Sequence, residues 1–391
     1  MFSGSKKYRF WLLSLGALIL IGFHFYCRQL ATGMGVTGMT DQVSWGFYIS
    51  NFTFVVGLAA GAVMLVIPAY IYDKKSMHEI VIFGELLAIA SVVMCLLLVM
   101  VDLGRPDRFF HMFPIIGLFN WPSSILTWDT IVLTGYFLLN IYIVFYLLYM
   151  RYLGKTPEKK YYIWAVYISV LWAVALHTVT AFLYNGLGAR PFWNSAIIAP
   201  RFVASACVAG PAVIFLSLKL LGKYTRLEFF FFENATRVLR NIITIALSIN
   251  VFFLLSEVFT EFYTQGMHTA SVHYLFFGLN GHFALTPFIW LSIILNTTAL
   301  IMLYIPKLHG SDRAFTIACG LTITGIWLEK GMGFIVPGFI PTPLGEIVEY
   351  FPTLTEFLIT LGILAFGLLV FTLSIKAVLP LVQTPRNIKI L

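Results

Sequence analysis

Long apolar stretches, each close to the length of a membrane crossing, alternate along the whole chain with short polar connections. Ten segments qualify, at approximately 10–30, 44–72, 79–102, 124–150, 161–185, 198–221, 238–262, 284–305, 313–335 and 354–380. A helix needs about 20 mainly apolar residues to span the hydrocarbon core. Ten-residue strands of alternating polarity, the signature of a barrel, are absent, so the pattern predicts helices. The first segment follows Lys6, Lys7 and Arg9 and exits at Arg28-Gln29-Leu30 without a small-x-small cleavage site. It is therefore expected to be a retained helix and not a signal peptide.

Composition confirms the class. Of 391 residues, 60% are hydrophobic and 11% charged, with a mean hydropathy of +0.89, against roughly 25% charged in a soluble protein. The fold class is an all-α polytopic membrane protein of ten transmembrane helices. A faint parallel duplication at about 150 residues sets Gly57-x3-Gly61 on span two beside Ala206-x3-Gly210 on span six, and Trp128 on span four beside Trp290 on span eight. Such small-residue faces let helices pack closely. The expected arrangement is two pseudo-repeated four-helix bundles, spans 2–5 and 6–9, flanked by spans 1 and 10. The corresponding divisions are 1–43 (N-terminus and span 1), 44–190 (first bundle), 191–340 (second bundle) and 341–391 (loop, span 10 and C-terminus).

The net charge of +8 is a topology signal and not a nucleic-acid footprint. With ten spans, 19 of the 25 Lys and Arg fall on the side of the N-terminus, Lys75, Arg226, Arg386 and Lys389 among them. Arg28, Arg105, Arg108, Arg190, Arg201 and Lys330 fall on the other. The positive-inside rule then places both termini in the cytoplasm of a multi-pass cytoplasmic-membrane protein. The longer, Gly/Pro-rich outer connections 186–200 and 331–353 suit docking of an outer partner or serve as ordinary loops. Cys27, Cys95, Cys207 and Cys319 are scattered singly, so no iron–sulfur cluster or structural metal is expected in this chain.

An ionisable group inside a span is costly, which makes it a functional-site candidate. Asn51, Asp129 and His177 fall on three spans at similar depth in the outer half. Asp129, Tyr136 and Asn140, at steps of seven and eleven, share one helical face leading inward, and Glu85 on span three lies in the inner half and could extend that route. Asn250, Glu257 and Glu261 form a second stripe on span seven. Each has a structural alternative: Asn51 can bond a neighbouring helix, Asp129 can be solvated near the interface, and Glu261 is nearly in water. Asp102 and Arg105, three apart before the helix-ending Pro106, can pair on a last turn and fix a lid over a pocket, or simply cap the helix.

The stretches Trp45-Gly-Phe-Tyr48, Gly57-Leu-Ala-Ala-Gly61, Asp102-Leu-Gly-Arg-Pro106 and Asn120-Trp-Pro-Ser-Ser-Ile-Leu-Thr-Trp128-Asp129 resemble the NrfD/PsrC family of quinone-interacting membrane subunits. Leu176-His177-Thr-Val-Thr-Ala-Phe-Leu, Ala189-Arg-Pro-Phe-Trp-Asn194, Ser256-Glu-Val-Phe-Thr-Glu-Phe-Tyr263 and Gly331-Met-Gly-Phe-Ile-Val-Pro-Gly-Phe-Ile-Pro341 most resemble its DsrP/HmeC-type members, from the Dsr (Hme) complex of sulfur metabolism. The resemblance implies menaquinol or menaquinone bound at the outer face of the first bundle. A ferredoxin-like iron–sulfur subunit would sit beside it, with other membrane and cytochrome subunits in the same complex. Asn51, Asp129 and His177 match polar positions of that site, with Asp102, Arg105, Trp128 and Tyr136 around it. Some relatives carry an acid where this chain has Asn51, and an amide cannot titrate, so proton work shifts to Asp129 and His177. The resemblance also points to proton movement in the second bundle, where Glu257 and Glu261 are the candidates.

Quinol oxidation releases two protons and two electrons, so its site needs hydrogen-bond partners for the ring oxygens and a proton acceptor nearby. His177 and Asp129 supply both chemistries. Two rival classes stay open: a haem-b anchor using His24 and His177, and an ion transporter or passive anchor. The chain lacks the Gly/Pro-broken helix pair of a midplane transport site.

Overall fold

A computed structural model describes residues 4–72, 74, 77–224, 229–266 and 269–383. Lys75, Arg226, Arg386 and Lys389, which contributed to the expected orientation, lie outside the described residues. Each long apolar segment forms a helix, the one conformation besides a closed barrel that satisfies every backbone group within hydrocarbon. In chain order these are α1 (Lys6–Thr32), α2 (Phe47–Val63), α3 (His78–Asp102), α4 (Ile125–Tyr152), α5 (Lys159–Asn185), α6 (Ile198–Tyr224) and α7 (Phe229–Thr264). The rest are α8 (Thr269–Phe277), α9 (Thr286–Tyr304), α10 (Pro306–His309), α11 (Asp312–Lys330), α12 (Met332–Ile335) and α13 (Leu354–Gln383). Ser5 and Ser311 cap α1 and α11, accepting from the Tyr8 and Ala314 amides at 3.2 and 3.3 Å. Beyond α2 the apolar stretch continues to Tyr70, its end wound as a π-turn at Ile67–Ile71 around Pro68.

Nine helices among the described residues are long and apolar enough to cross a membrane. The tenth expected span, 313–335, differs. It is helical from Asp312 to Lys330 and then breaks at Gly331. Asp312 and Arg313 at one end and Glu329 and Lys330 at the other give it more charge than a lipid-facing span. Glu329 and Lys330 are buried in protein at 1% and 3% exposure, so the helix does not have to be apolar throughout. The short α8 was not anticipated. It lies in what the sequence suggested was plain loop, burying Val272, Tyr274, Leu275 and Phe276.

The long helices run alternately up and down. Antiparallel neighbours are marked by Thr53 against Tyr184 (α2, α5), Asp129 against Thr180 (α4, α5) and Ser292 against Gly325 (α9, α11). One end of the molecule, here the Trp45 face, therefore carries the starts of α2, α4, α6, α9 and α13 and the ends of α1, α3, α5, α7 and α11. The packing of the first four helices after α1 is repeated by the next four long ones. α2 packs on α3 and α5 as α6 packs on α7 and α11; α4 packs on α3 and α5 as α9 packs on α7 and α11. α1 lies outside on α13, which packs on α3.

The two sets meet where α2 crosses α6, and the small-residue faces noted in the sequence pack there against each other. A Cβ on Gly61 would sit 2.0 Å from the Ala206 carbonyl oxygen, and one on Gly210 would sit 2.4 Å from the Gly61 carbonyl carbon. Only glycine admits this approach. The crossing makes α2 the central helix, with 82% of its apolar stretch buried in protein against 11% for the peripheral α1.

Candidate functional site

Asp129 stands one turn into α4, on the face turned to α5, and is 2% exposed. Thr180 of α5 donates its hydroxyl to Asp129 Oδ1 at 2.8 Å. One turn deeper along α5 is His177, also 2% exposed, edge-on to the Phe202 ring at 6.2 Å. Neither His177 nitrogen has a hydrogen-bond partner among the described residues. Asp129 on α4, held at Thr180, and His177 on α5 thus lie about one turn of α5 apart in depth and do not bond each other. Between them and the Trp45 face, Tyr184 and Thr53 share a hydrogen bond of 2.5 Å, with Asp129 and Asp102 within electrostatic reach of the phenol. Trp45, Trp193, Tyr184, Phe334 and Phe339 close that end as an aromatic cluster.

Asn51 is turned elsewhere. Its amide donates to Phe47 O at 2.8 Å and its oxygen accepts from the indole of Trp327 on α11 at 3.0 Å. This is the helix-bridging role open to a membrane asparagine, and it links the two halves. The Asp102–Arg105 pair expected on a last turn does not form. α3 ends at Asp102 itself and Leu103 is extended, so Arg105 is off the helix and forks onto Asp107 through two 3.0 Å bonds in solvent. Those bonds hold the Asp107 carboxyl below the usual range. Asp102 is turned inward, its Oδ1 buried without a described partner and Glu356 within electrostatic reach. Glu356 itself accepts from the Gly38 and Thr353 amides and from Tyr350.

The members of the inward stripe all face protein, but no hydrogen bond links Asp129 to Tyr136 or Asn140 to Glu85 among the described residues. Trp128 sits at its mouth, donating its indole N–H to Pro122 O at 2.9 Å; Trp290 does the same to Phe276 O in the second half, at 2.8 Å. Tyr136 donates to Ala59 O and Asn140 donates to Tyr136 O. Both are buried, as is Glu85 on α3, whose carboxylate has no described partner and lies within electrostatic reach of Tyr136 and Tyr70.

The second stripe assembles around a residue the sequence left among the outer charges. Arg201 of α6 pairs with Glu257 of α7 and, through Nε and a terminal nitrogen at 3.2 and 2.9 Å, with Glu329 of α11. Asn250 and Asn296 donate to the other Glu329 oxygen at 3.3 and 3.2 Å. Lys330 is adjacent, its ammonium 4.7 Å over the Phe202 ring and without a described hydrogen-bond partner. Glu261 is outside this cluster, half-buried at the end of α7. Arg201, Glu329 and Lys330 were each legible as charges near a span end; nothing in the spacing showed that they turn inward.

A haem bridge between His24 and His177 does not fit. His24 is exposed on α1, which packs on α13, while His177 is buried against α2 and α6. No group of three His, Cys, Asp or Glu among the described residues is placed to hold a metal ion.

The long apolar helices, with buried and sparsely partnered acids and an imidazole near the Trp45 end, define an all-helical multi-pass membrane protein. Residues 35–337 match the family described as polysulphide reductase, NrfD, and the chain belongs to that family. It is 26% identical to a membrane component of a putative dimethyl sulfoxide reductase of Halobacterium salinarum, over 94% of this chain and 90% of that protein. It is 24% identical to an Hdr-like menaquinol oxidoreductase integral membrane subunit of Archaeoglobus fulgidus, over 95% and 93%. A selenate reductase subunit of Mesobacillus selenatarsenatis is 23% identical over 95% and 94%.

Proposed function

We propose that the chain is the quinone-interacting membrane subunit of a respiratory electron-transfer complex, exchanging electrons between menaquinol or menaquinone and an iron–sulfur partner. The observation that carries this is the placement of Asp129 and His177 about one turn apart in depth near the Trp45 face, buried and with little internal bonding. A quinone bound there would have the Asp129 carboxyl or the His177 imidazole as partner for a ring oxygen. The name of the Archaeoglobus relative points to the same substrate. In this reading the Trp45 face is the outer one, both termini are cytoplasmic, α11 is the tenth crossing, and the chain divides into the two bundles 44–190 and 191–340. The DsrP/HmeC-type motifs favour that branch of the family.

The partner docks on the Trp45 face. There the α3–α4 connection exposes Phe109, Phe113, Ile115, Ile116, Leu118 and Trp121, an apolar patch large enough to need a cover. In this reading electrons leave to the partner across this face. Protons leave through Asp129 either directly outward or along Tyr136 and Asn140 toward Glu85.

In reconstituted complex, His177→Ala and Asp129→Asn should each reduce quinol-dependent reduction of the partner by about 100-fold or more, within the usual range for loss of a proton-transfer group, while assembly persists. Wild-type turnover in both variants would remove the quinone site from this position. Glu85→Gln, run in the same vesicles, is expected to slow turnover or alter its response to internal pH; an unchanged profile leaves only the outward exit.

A further inference from the structure

His177 and Lys330 look into one small cavity from opposite halves of the molecule. Its walls include Thr53 and Gly57 of α2, His177 of α5, Phe202 and Ser205 of α6 and Lys330 of α11. The free space is about 10 Å³, at the lower limit for one water molecule and far below what a quinone ring occupies. Both His177 nitrogens and the Lys330 ammonium are buried without hydrogen-bond partners among the described residues. At membrane depth such groups pair with something, because leaving them bare forfeits the hydration they had in water.

We propose that this cavity binds a single water molecule that hydrogen-bonds Lys330 and His177 at once, joining the two halves of the protein through one polar contact. The donor inventory limits its orientation. An ammonium only donates, so the water accepts from Lys330 and keeps both hydrogens to give. One goes to an unprotonated nitrogen of His177. The other goes to the Ser205 hydroxyl oxygen, whose own proton is committed to Phe202 O at 2.8 Å. Three bonds are what a buried water typically makes.

The same inventory assigns the histidine tautomer. Cε1 and Nε2 are the ring atoms nearest the Gly57 wall, each 4.0 Å from where a Cβ would stand. Nε2, the ring nitrogen nearer the Gly57 wall, is taken as the acceptor of the water's hydrogen, with the neutral ring's proton on Nδ1. Lys330 becomes a positioning residue: acting through the water, it decides which nitrogen of His177 holds a proton. This assignment stands apart from the quinone reading, since it concerns the resting protein.

The test is nitrogen NMR of the full-length chain in lipid nanodiscs, labelled with ring-¹⁵N histidine, with the His177 signals identified by their loss in His177→Gln. The expected result is a neutral ring protonated at Nδ1, with magnetisation transfer from a bound water to that ring. In Lys330→Met the Nδ1 preference should collapse toward a mixture of tautomers. Gly57→Ala places a methyl in the cavity at ordinary contact distance and should abolish the water transfer with the helical fold intact by circular dichroism. Protonation at Nε2, absence of water transfer in the wild type, or a Lys330→Met spectrum identical to wild type would each overturn the proposal. Should Lys330→Met fail to fold, the wild-type tautomer and the Gly57→Ala comparison still decide it.

Discussion

Arg201 is held on two sides by carboxylates, and each carboxylate depends on it. Glu329 is 1% exposed and Arg201 6%, so removing the guanidinium strands two acids in a medium that solvates them poorly. Breaking a buried pair by deleting one partner costs about 3–5 kcal/mol. Arg201→Met is expected to destabilise the purified chain by about that amount, read as a lower melting temperature in detergent. Arg201→Lys should recover only part of it, because one ammonium cannot reach both carboxylates as a planar fork does. A Met variant as stable as wild type would show that the cluster contributes nothing to stability. At this scale the sequence was only partly legible. Helical spacing picked out Asn250 and Glu257, and Asp129, Tyr136 and Asn140, because a face repeats at steps of seven and eleven. Spacing says nothing about which helix that face meets. Arg201 and Lys330 therefore passed as outer charges, and Asn51 was grouped with Asp129 although it bonds Trp327 of α11.

Among the elements, the α2–α6 crossing sets the position of everything else, since α2 carries Thr53 and Gly57 and α6 carries Arg201, Phe202 and Ser205. A valine at Gly61 would drive its Cβ into the Ala206 backbone, which cannot move without opening the crossing. Gly61→Val should abolish the monodisperse peak on fluorescence-detected size exclusion, whereas Gly57→Ala, with nothing nearer than 4.0 Å, should keep it. A monodisperse Gly61→Val protein would contradict the crossing. The connection after α12 is pinned differently. Glu349 accepts from the Ala284 amide at 2.9 Å, from Tyr274 at 3.2 Å and pairs with His282 at 3.2 Å. Burial works to raise the Glu349 carboxyl, but these bonds outweigh it and hold it below the usual carboxylate range. A group with a depressed folded pKa contributes stability that is full above its unfolded value, near 4.3, and is lost as pH falls through the folded value. Hydrogen exchange at Ala284 should therefore accelerate, relative to its intrinsic rate, as the pH is lowered from about 5 to 3. In Glu349→Ala, which has no side-chain acceptor, it should be fast at both. Equal protection of the amide in the two proteins at pH 5 would count against the anchor. The short α8 was missed by the sequence reading because nine residues give too few turns to establish a period.

For the whole molecule, the repeated packing of two helix sets around α2 and α6 gives two similar scaffolds with unlike chemistry. The first holds acids and an imidazole with few partners; the second holds a bonded ion cluster and a lone ammonium beside it. Alternating apolar runs made the all-helical membrane fold readable from the sequence, and the Gly57 and Gly210 faces hinted at the duplication. The exception was the span at 313–335, where a helix sheltered by its neighbours no longer has to look like one in lipid. In the proposed reading, the sparse bonding around Asp129 and His177 belongs to a site that menaquinone completes. The most direct measurement is electron microscopy of the purified complex with menaquinone bound. The expected result is ring density near the Trp45 face, with one oxygen within hydrogen-bond reach of Asp129 or His177. A quinone resolved elsewhere in the bundle, touching neither residue, would contradict the assignment.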